Sequence, residues 1–141
     1  MPIKYDVFRD GHFIHAVGTG VITAKDFVDY EIAHPMDKRV KEPLNELIEI
    51  QPGATMELSK KDISEIIDKR KTIKGLPTLH KCAIVVPYVD SHSWDLARYY
   101  EGMAELHYPK SVIVFGNMQT ARIWLGVEDK SPEEQVFMSQ Q

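Results

Sequence analysis

Two short runs of apolar residues, AIVV at 83–86 and VIVF at 112–115, each lead into a stretch of helical periodicity. Four apolar residues in a row, rich in β-branched types, favour strands: a branched Cβ is stiff in a helix and packs well on a pleated surface. Between the runs, DSHSWDLARYYEGMAELHYP puts Leu96, Ala97, Tyr100, Met103 and Ala104 on one helical face. Asn117 is placed to cap the next helix, with Met118, Ala121, Trp124 and Leu125 inward and Gly126 as its stop. Strand, helix, strand, helix across 81–126 makes the two strands parallel, because a helical crossover returns the chain to the same edge. Parallel strands that are apolar on both faces must be covered on both faces. Helices on each side, the tail or another subunit can supply that cover.

Upstream, Ile3, Tyr5 and Val7 alternate with Lys4 and Asp6, as in a half-buried strand. Asp10-Gly11 is a hairpin signal, and 12–17 returns as a second strand. Thr23 and Ser59 each precede an aspartate by three residues (Asp26 and Asp62), the spacing of a capping box. The first of these helices presents Ala24, Phe27, Val28 and Ile32 and stops at Pro35; the second presents Ile63, Ile66 and Ile67. Residues 44–50 read as a strand, and 51–58, with Pro52-Gly53, as a loop. Ser131-Pro132-Glu133-Glu134 opens a short tail helix carrying Val136 and Phe137. The predicted order is ββαβαβαβα: one α/β domain over 1–126 with a mixed sheet of five strands, parallel except for one. A tail with a short C-terminal helix follows over 127–141.

Composition narrows the function classes. A net charge of −4 argues against nucleic acid as a partner. The basic run Lys69-Arg70-Lys71, with Lys74, falls at a predicted helix end, where cations complement the dipole. The lone cysteine, Cys82, lies in an apolar strand and reads as a buried thiol, with neither a disulfide framework nor a CxxC motif. No run of about 18 apolar residues and no N-terminal apolar signal region are present. The expectation is a cytoplasmic protein without a membrane span.

Few residues carry recognisable chemistry. Gly18-Thr19-Gly20 lies between a strand and a helix but lacks the third glycine of a dinucleotide loop, Thr23 standing at its position. Glu31-x-x-His34 has the spacing for a carboxylate and an imidazole to share a metal. Carboxylate di-metal sites need a second such pair and further glutamates. The pair therefore reads as an exposed helix end, and neither a metal, a cofactor nor a catalytic residue is predicted. The richest cluster is Asp90, His92, Trp94 and Arg98, with Ser93 and Asp95, leaving the carboxyl end of the 83–86 strand. Ligands of open α/β sheets sit at such ends. Amides at the helix start could hold an anion there, His92 could titrate near neutrality, and Trp94 could wall a pocket. The plainer alternative is a capped helix with a surface histidine and a packing tryptophan.

The succession of elements, with GTGVITAKDF, NELIEI, AIVVP, LARYYEGMAE and SVIVF…TARIWL, resembles the STAS-like, SpoIIAA-like family over nearly the whole chain. That resemblance implies a small cytoplasmic domain related in fold to anti-sigma-factor antagonists. In the wider fold it implies a protein-interaction switch, sometimes controlled by phosphorylation of a serine at the start of the helix after the third strand. Ser59 in MELSKKDI occupies that position, but the acidic neighbour and following glycine of the antagonist motif are replaced by Leu58 and Lys60. An N-cap role is the simpler account of Ser59.

Two function classes stand. One is a non-enzymatic STAS-like interaction or regulatory module that binds a protein partner or itself, as a homodimer. The other is a binding protein for a small apolar or amphipathic, lipid-like ligand, suggested by Trp94, Tyr99, Tyr100 and Met103 beside the doubly apolar strands. An elongated apolar cavity would favour the second; a solid core with an apolar outer patch would favour the first.

Overall fold

The computed structural model describes residues 2–72, 79–88, 91–108 and 111–140. The first half of the chain runs β1 (Ile3–Phe8), β2 (Phe13–Gly18), β3 (Val21–Thr23), α1 (Ala24–Ala33), β4 (Leu44–Ile50), β5 (Thr55–Glu57) and α2 (Lys60–Lys71). The second half runs β6 (Leu79–Val85), α3 (His92–His107), β7 (Ser111–Phe115), α4 (Met118–Leu125) and α5 (Pro132–Ser139). Five strands form one sheet in the order β1-β2-β4-β6-β7. Only the β1–β2 pair is antiparallel, so the mixed five-stranded sheet has the predicted composition.

The local signals work as the sequence suggests. Thr23 and Ser59 close full capping boxes with Asp26 and Asp62. Ser91, Asn117 and Ser131 accept from the backbone N–H three residues on. Gly126 ends α4 in the left-handed region at φ 73°. Pro132 stands in the first turn of α5.

The helices divide between the two faces of the sheet. Beneath α1, α2 and α3 lies the larger core, with Ile48, Ile63, Ile67, Cys82, Ile84 and Leu96. On the opposite face α4 and α5 cover Phe8, Phe13, Leu47, Ala83 and Val85. Cys82 and Ile84 point into one core and Ala83 and Val85 into the other, so β6 is covered on both sides by its own chain. At the β7 edge the cover is thinner, and Ile113 is 37% exposed.

Three expectations change. The 51–58 segment is not all loop: β5 pairs in parallel with β3, setting Ile22 against Met56, both buried, in a separate two-stranded sheet. Three-residue strands carry too little periodicity to stand out in a sequence. The inward face of α1 is also rotated from the predicted one. It buries Tyr30 and Glu31 while Ile32 is 38% exposed. Finally, Lys69, Arg70 and Lys71 do fall in the last turn of α2, but Arg70 is 7% exposed and pairs with Glu31, a burial the sequence did not suggest. In both cases polar partners, not apolar spacing, set the face that turns inward. Among the described residues no helix is long and apolar enough to cross a membrane.

Candidate functional site

Two features stand out: a groove at the surface and a polar cluster inside the larger core. The groove lies between the N-termini of α2 and α3, where Ser59, Lys60 and Lys61 face His92, Arg98 and Tyr99. The fold thus brings together Ser59 and three members of the Asp90–Arg98 cluster, His92, Asp95 and Arg98, which the sequence gives as separate candidates. Lys60 Nζ stands 5.5 Å over the Tyr99 ring, and the Ser64 and Tyr99 hydroxyls are 3.0 Å apart, so the two helices are tied at this end. Three cations line the groove beside one carboxylate, Asp95. Arg98 is partly engaged by Glu101 at 2.9 Å. The amides of two helix starts add positive potential.

The remaining members of the sequence cluster part company. His92 and Arg98 are exposed, whereas Trp94 is half-buried and packs against the larger core instead of lining the groove. Asp90 lies outside the described residues. Ser59 is exposed, and its hydroxyl accepts from the Asp62 amide at 3.2 Å while its own N–H donates to Asp62 at 2.8 Å. The capping role is therefore present, and the hydroxyl remains at the surface.

The polar cluster was not expected. Glu31 and His34 are not an exposed helix end: they are 5% and 0% exposed. Continuing the α1 spiral by one turn places His34 beneath the sheet, where Glu46 of β4, also 0% exposed, points at it. His34 Nε2 lies 3.5 Å from Glu46 Oε2 and 3.8 Å from Glu31 Oε2. Tyr30 donates to Glu46, and Arg70 of α2 donates to Glu31. Tyr100 approaches Glu31 at 3.5 Å, and the Arg70 guanidinium stacks 5.3 Å from the Tyr108 ring centre. The Tyr30 ring packs on the His34 ring with centroids 4.7 Å apart.

Electrostatics follow from burial and these neighbours. Burial, reinforced by Glu46, holds the Tyr30 phenol well above its ordinary range, so it stays a donor. Burial and then Glu31 do the same to Tyr100. For Arg70, burial opposes the charge, but Glu31 and Glu46 outweigh it and keep the guanidinium protonated.

Glu31 and Tyr100 also line a cavity of about 40 Å³ between the sheet and the three helices. The rest of its wall is apolar, including Phe27, Ile48, Ile63, Ile84 and Leu96. Small-molecule pockets commonly span about 300–1,000 Å³. This one has room for a few waters.

Comparison of the chain with family models, with curated proteins and with solved structures gave no match. The chemistry of the site therefore rests on its residues. Of these, Glu31 and His34 were visible as an i, i+3 pair, but Glu46 and Arg70 reach them only through the fold. The one sequence signal for Glu46 is its place in LNELIEI, where strand alternation puts it on the same face as Ile48 and Ile50.

Proposed function

We propose that this chain is a non-enzymatic STAS-like interaction module, and that it docks an acidic or phosphorylated segment of a protein partner in the groove between α2 and α3. The observation that carries the reading is that Ser59, on one helix start, and His92 and Arg98, on another, line one open surface. Lys60, Lys61 and Arg98 supply charge, two sets of helix-start amides supply hydrogen-bond donors, and Tyr99 supplies a flat contact. Such a surface suits a carboxylate-rich or phosphate-bearing chain. Addition of a phosphate to Ser59 of this chain would neutralise those cations and displace the Asp62 cap, which gives the module a means of release.

The small-ligand alternative draws support from the largely apolar cavity that Glu31 and Tyr100 help line. At about 40 Å³ that cavity accepts a lipid-like ligand only if α2 and α3 part. The interaction reading needs no such opening.

The reading is tested by titrating isotopically labelled protein with an acidic peptide carrying one phosphoserine, and with the same peptide unmodified. Amide shifts confined to 59–62 and 91–99, weakening with salt, are expected for binding in the groove. Lys60→Glu with Arg98→Glu should abolish them, and Ser59→Asp should reduce them at least several-fold. Shifts centred on the sheet edge at β7, or a homodimer whose interface spares the groove, would sink the proposal.

A further inference from the structure

We infer that Glu31, His34 and Glu46 form a binding site for one divalent transition-metal ion inside the core, independent of the surface groove. The three side chains come from α1, the turn after it and β4, and each is nine-tenths or more buried. One ligand atom from each lies within 4.8 Å of the others.

Three observations argue for an ion over a hydrogen-bonded trio. First, the spacing is wrong for hydrogen bonds. His34 Nε2 stands 3.5 and 3.8 Å from the two carboxylate oxygens, beyond the 2.7–3.2 Å of a direct N–H···O bond. Ligand atoms about 2.1 Å from a common ion and about 110–130° apart stand roughly 3.4–3.8 Å from each other. The two histidine–carboxylate separations match that geometry. Second, neither ring nitrogen of His34 has a hydrogen-bond partner among the described residues, although the residue is fully buried. A protonated ring would leave two N–H donors unpaired, whereas an ion on Nε2 leaves one. Third, two buried carboxylates, Glu31 and Glu46, converge on His34 beside the Arg70 guanidinium. A cation at Nε2 would sit where those carboxylates converge.

The donor set restricts which ion fits. Two carboxylate oxygens and an imidazole suit Zn²⁺, Mn²⁺, Fe²⁺ or Co²⁺; a thiophilic ion would want sulfur. Three protein ligands leave one position for water, and the cavity beyond Glu31 is large enough to hold it. Tyr30 and Arg70 donate to the same Oε2 atoms of Glu46 and Glu31 that face His34, and so fix the orientation of both carboxylates.

Co²⁺ is the probe of choice, because its visible d–d bands report low-coordinate geometry. The full chain, stripped with chelator, should take up one Co²⁺, develop those bands and unfold at a temperature that rises with Co²⁺ concentration. Glu46→Gln and His34→Gln should each lose the bands and the rise. Arg70→Met should lower the melting temperature of the stripped protein and regain most of that loss on adding Co²⁺, which a purely structural Arg70 would not do. If the glutamine variants fail to fold, paramagnetic broadening of the His34 ring in the natural chain decides instead. No bands at millimolar Co²⁺ with the protein folded, or bands without broadening at His34, would overturn the site.

Discussion

Gly11 shows how a single residue holds the opening hairpin and the loop after α1 together. Its φ of 98° lies in the left-handed region, and a Cβ there would stand 2.2 Å from the Arg39 carbonyl oxygen. Its own carbonyl accepts from the Lys41 amide at 2.8 Å. Gly11→Ala combines backbone strain with a backbone clash and should cost about 3 kcal/mol or more. Gly53→Ala, at φ 88° with nothing within 4 Å, should cost about 1 kcal/mol. Urea unfolding of the two variants measures the contrast; equal losses would show that the Arg39 contact relaxes.

Asp37, in the same loop, gives the fold an acid-sensitive contact. Hydrogen bonds from Arg39, aided by one from Tyr5, hold its carboxyl down from 3.8 to about 2. A depressed folded value means that the contact stabilises above the unfolded value and is lost as pH falls from about 4 to about 2. Asp37→Asn should therefore be less stable than the natural chain at pH 6. The gap should close as the pH falls towards 2. A gap independent of pH would assign the effect to packing alone.

At the scale of elements, α5 is anchored by charge more than by apolar area. Its one fully buried side chain is Glu134, which accepts from Arg122 of α4 at 2.5 Å and from Arg9 at 3.2 Å. Arg122, 2% exposed, also lies over the Phe13 ring at 5.6 Å. Removing one member of a buried pair strands the other, at about 3–5 kcal/mol. Glu134→Gln should cost most of that, while Arg122→Met with Glu134→Leu should recover much of it. Thermal unfolding of the single and double variants separates the cases; an additive double variant would show that the two residues are not coupled.

The elements were the most legible part of the sequence. Their caps and stops lie within a few residues of one another, so Thr23, Ser59, Asn117, Gly126 and Pro132 could be read without knowing the fold. The inward faces of α2, α3 and most of α4 followed from apolar spacing. The face of α1 did not, because Tyr30, Glu31 and His34 turn inward toward partners on β4 and α2. Arg122 was missed for the same reason, since its partner Glu134 sits on another helix. Apolar periodicity assumes that buried means apolar, and each buried charge here breaks that assumption.

For the molecule as a whole, β4 and β6 occupy the centre of the sheet with helices over both faces. Their amides should therefore exchange most slowly, near the rate of global unfolding. The α5 amides should exchange through local opening, since Glu134 is that helix's one fully buried side chain and most of its other residues are exposed. Exchange in native conditions, read by residue, tests this. Equal protection of α5 and β4 would mean that the tail helix belongs to the cooperative core.

The strands of the main sheet, their capped helices, the parallel pairing of the strands that helices separate and the class of fold follow from the sequence alone, because they depend on neighbours a few residues apart. The β3–β5 pair, the convergence of Ser59 with His92, and the meeting of Glu31, His34, Glu46 and Arg70 depend on segments far apart in the chain. Their geometry is set only when the helices settle on the sheet. Local interactions chose the pieces of this protein, and tertiary packing chose which polar groups face one another.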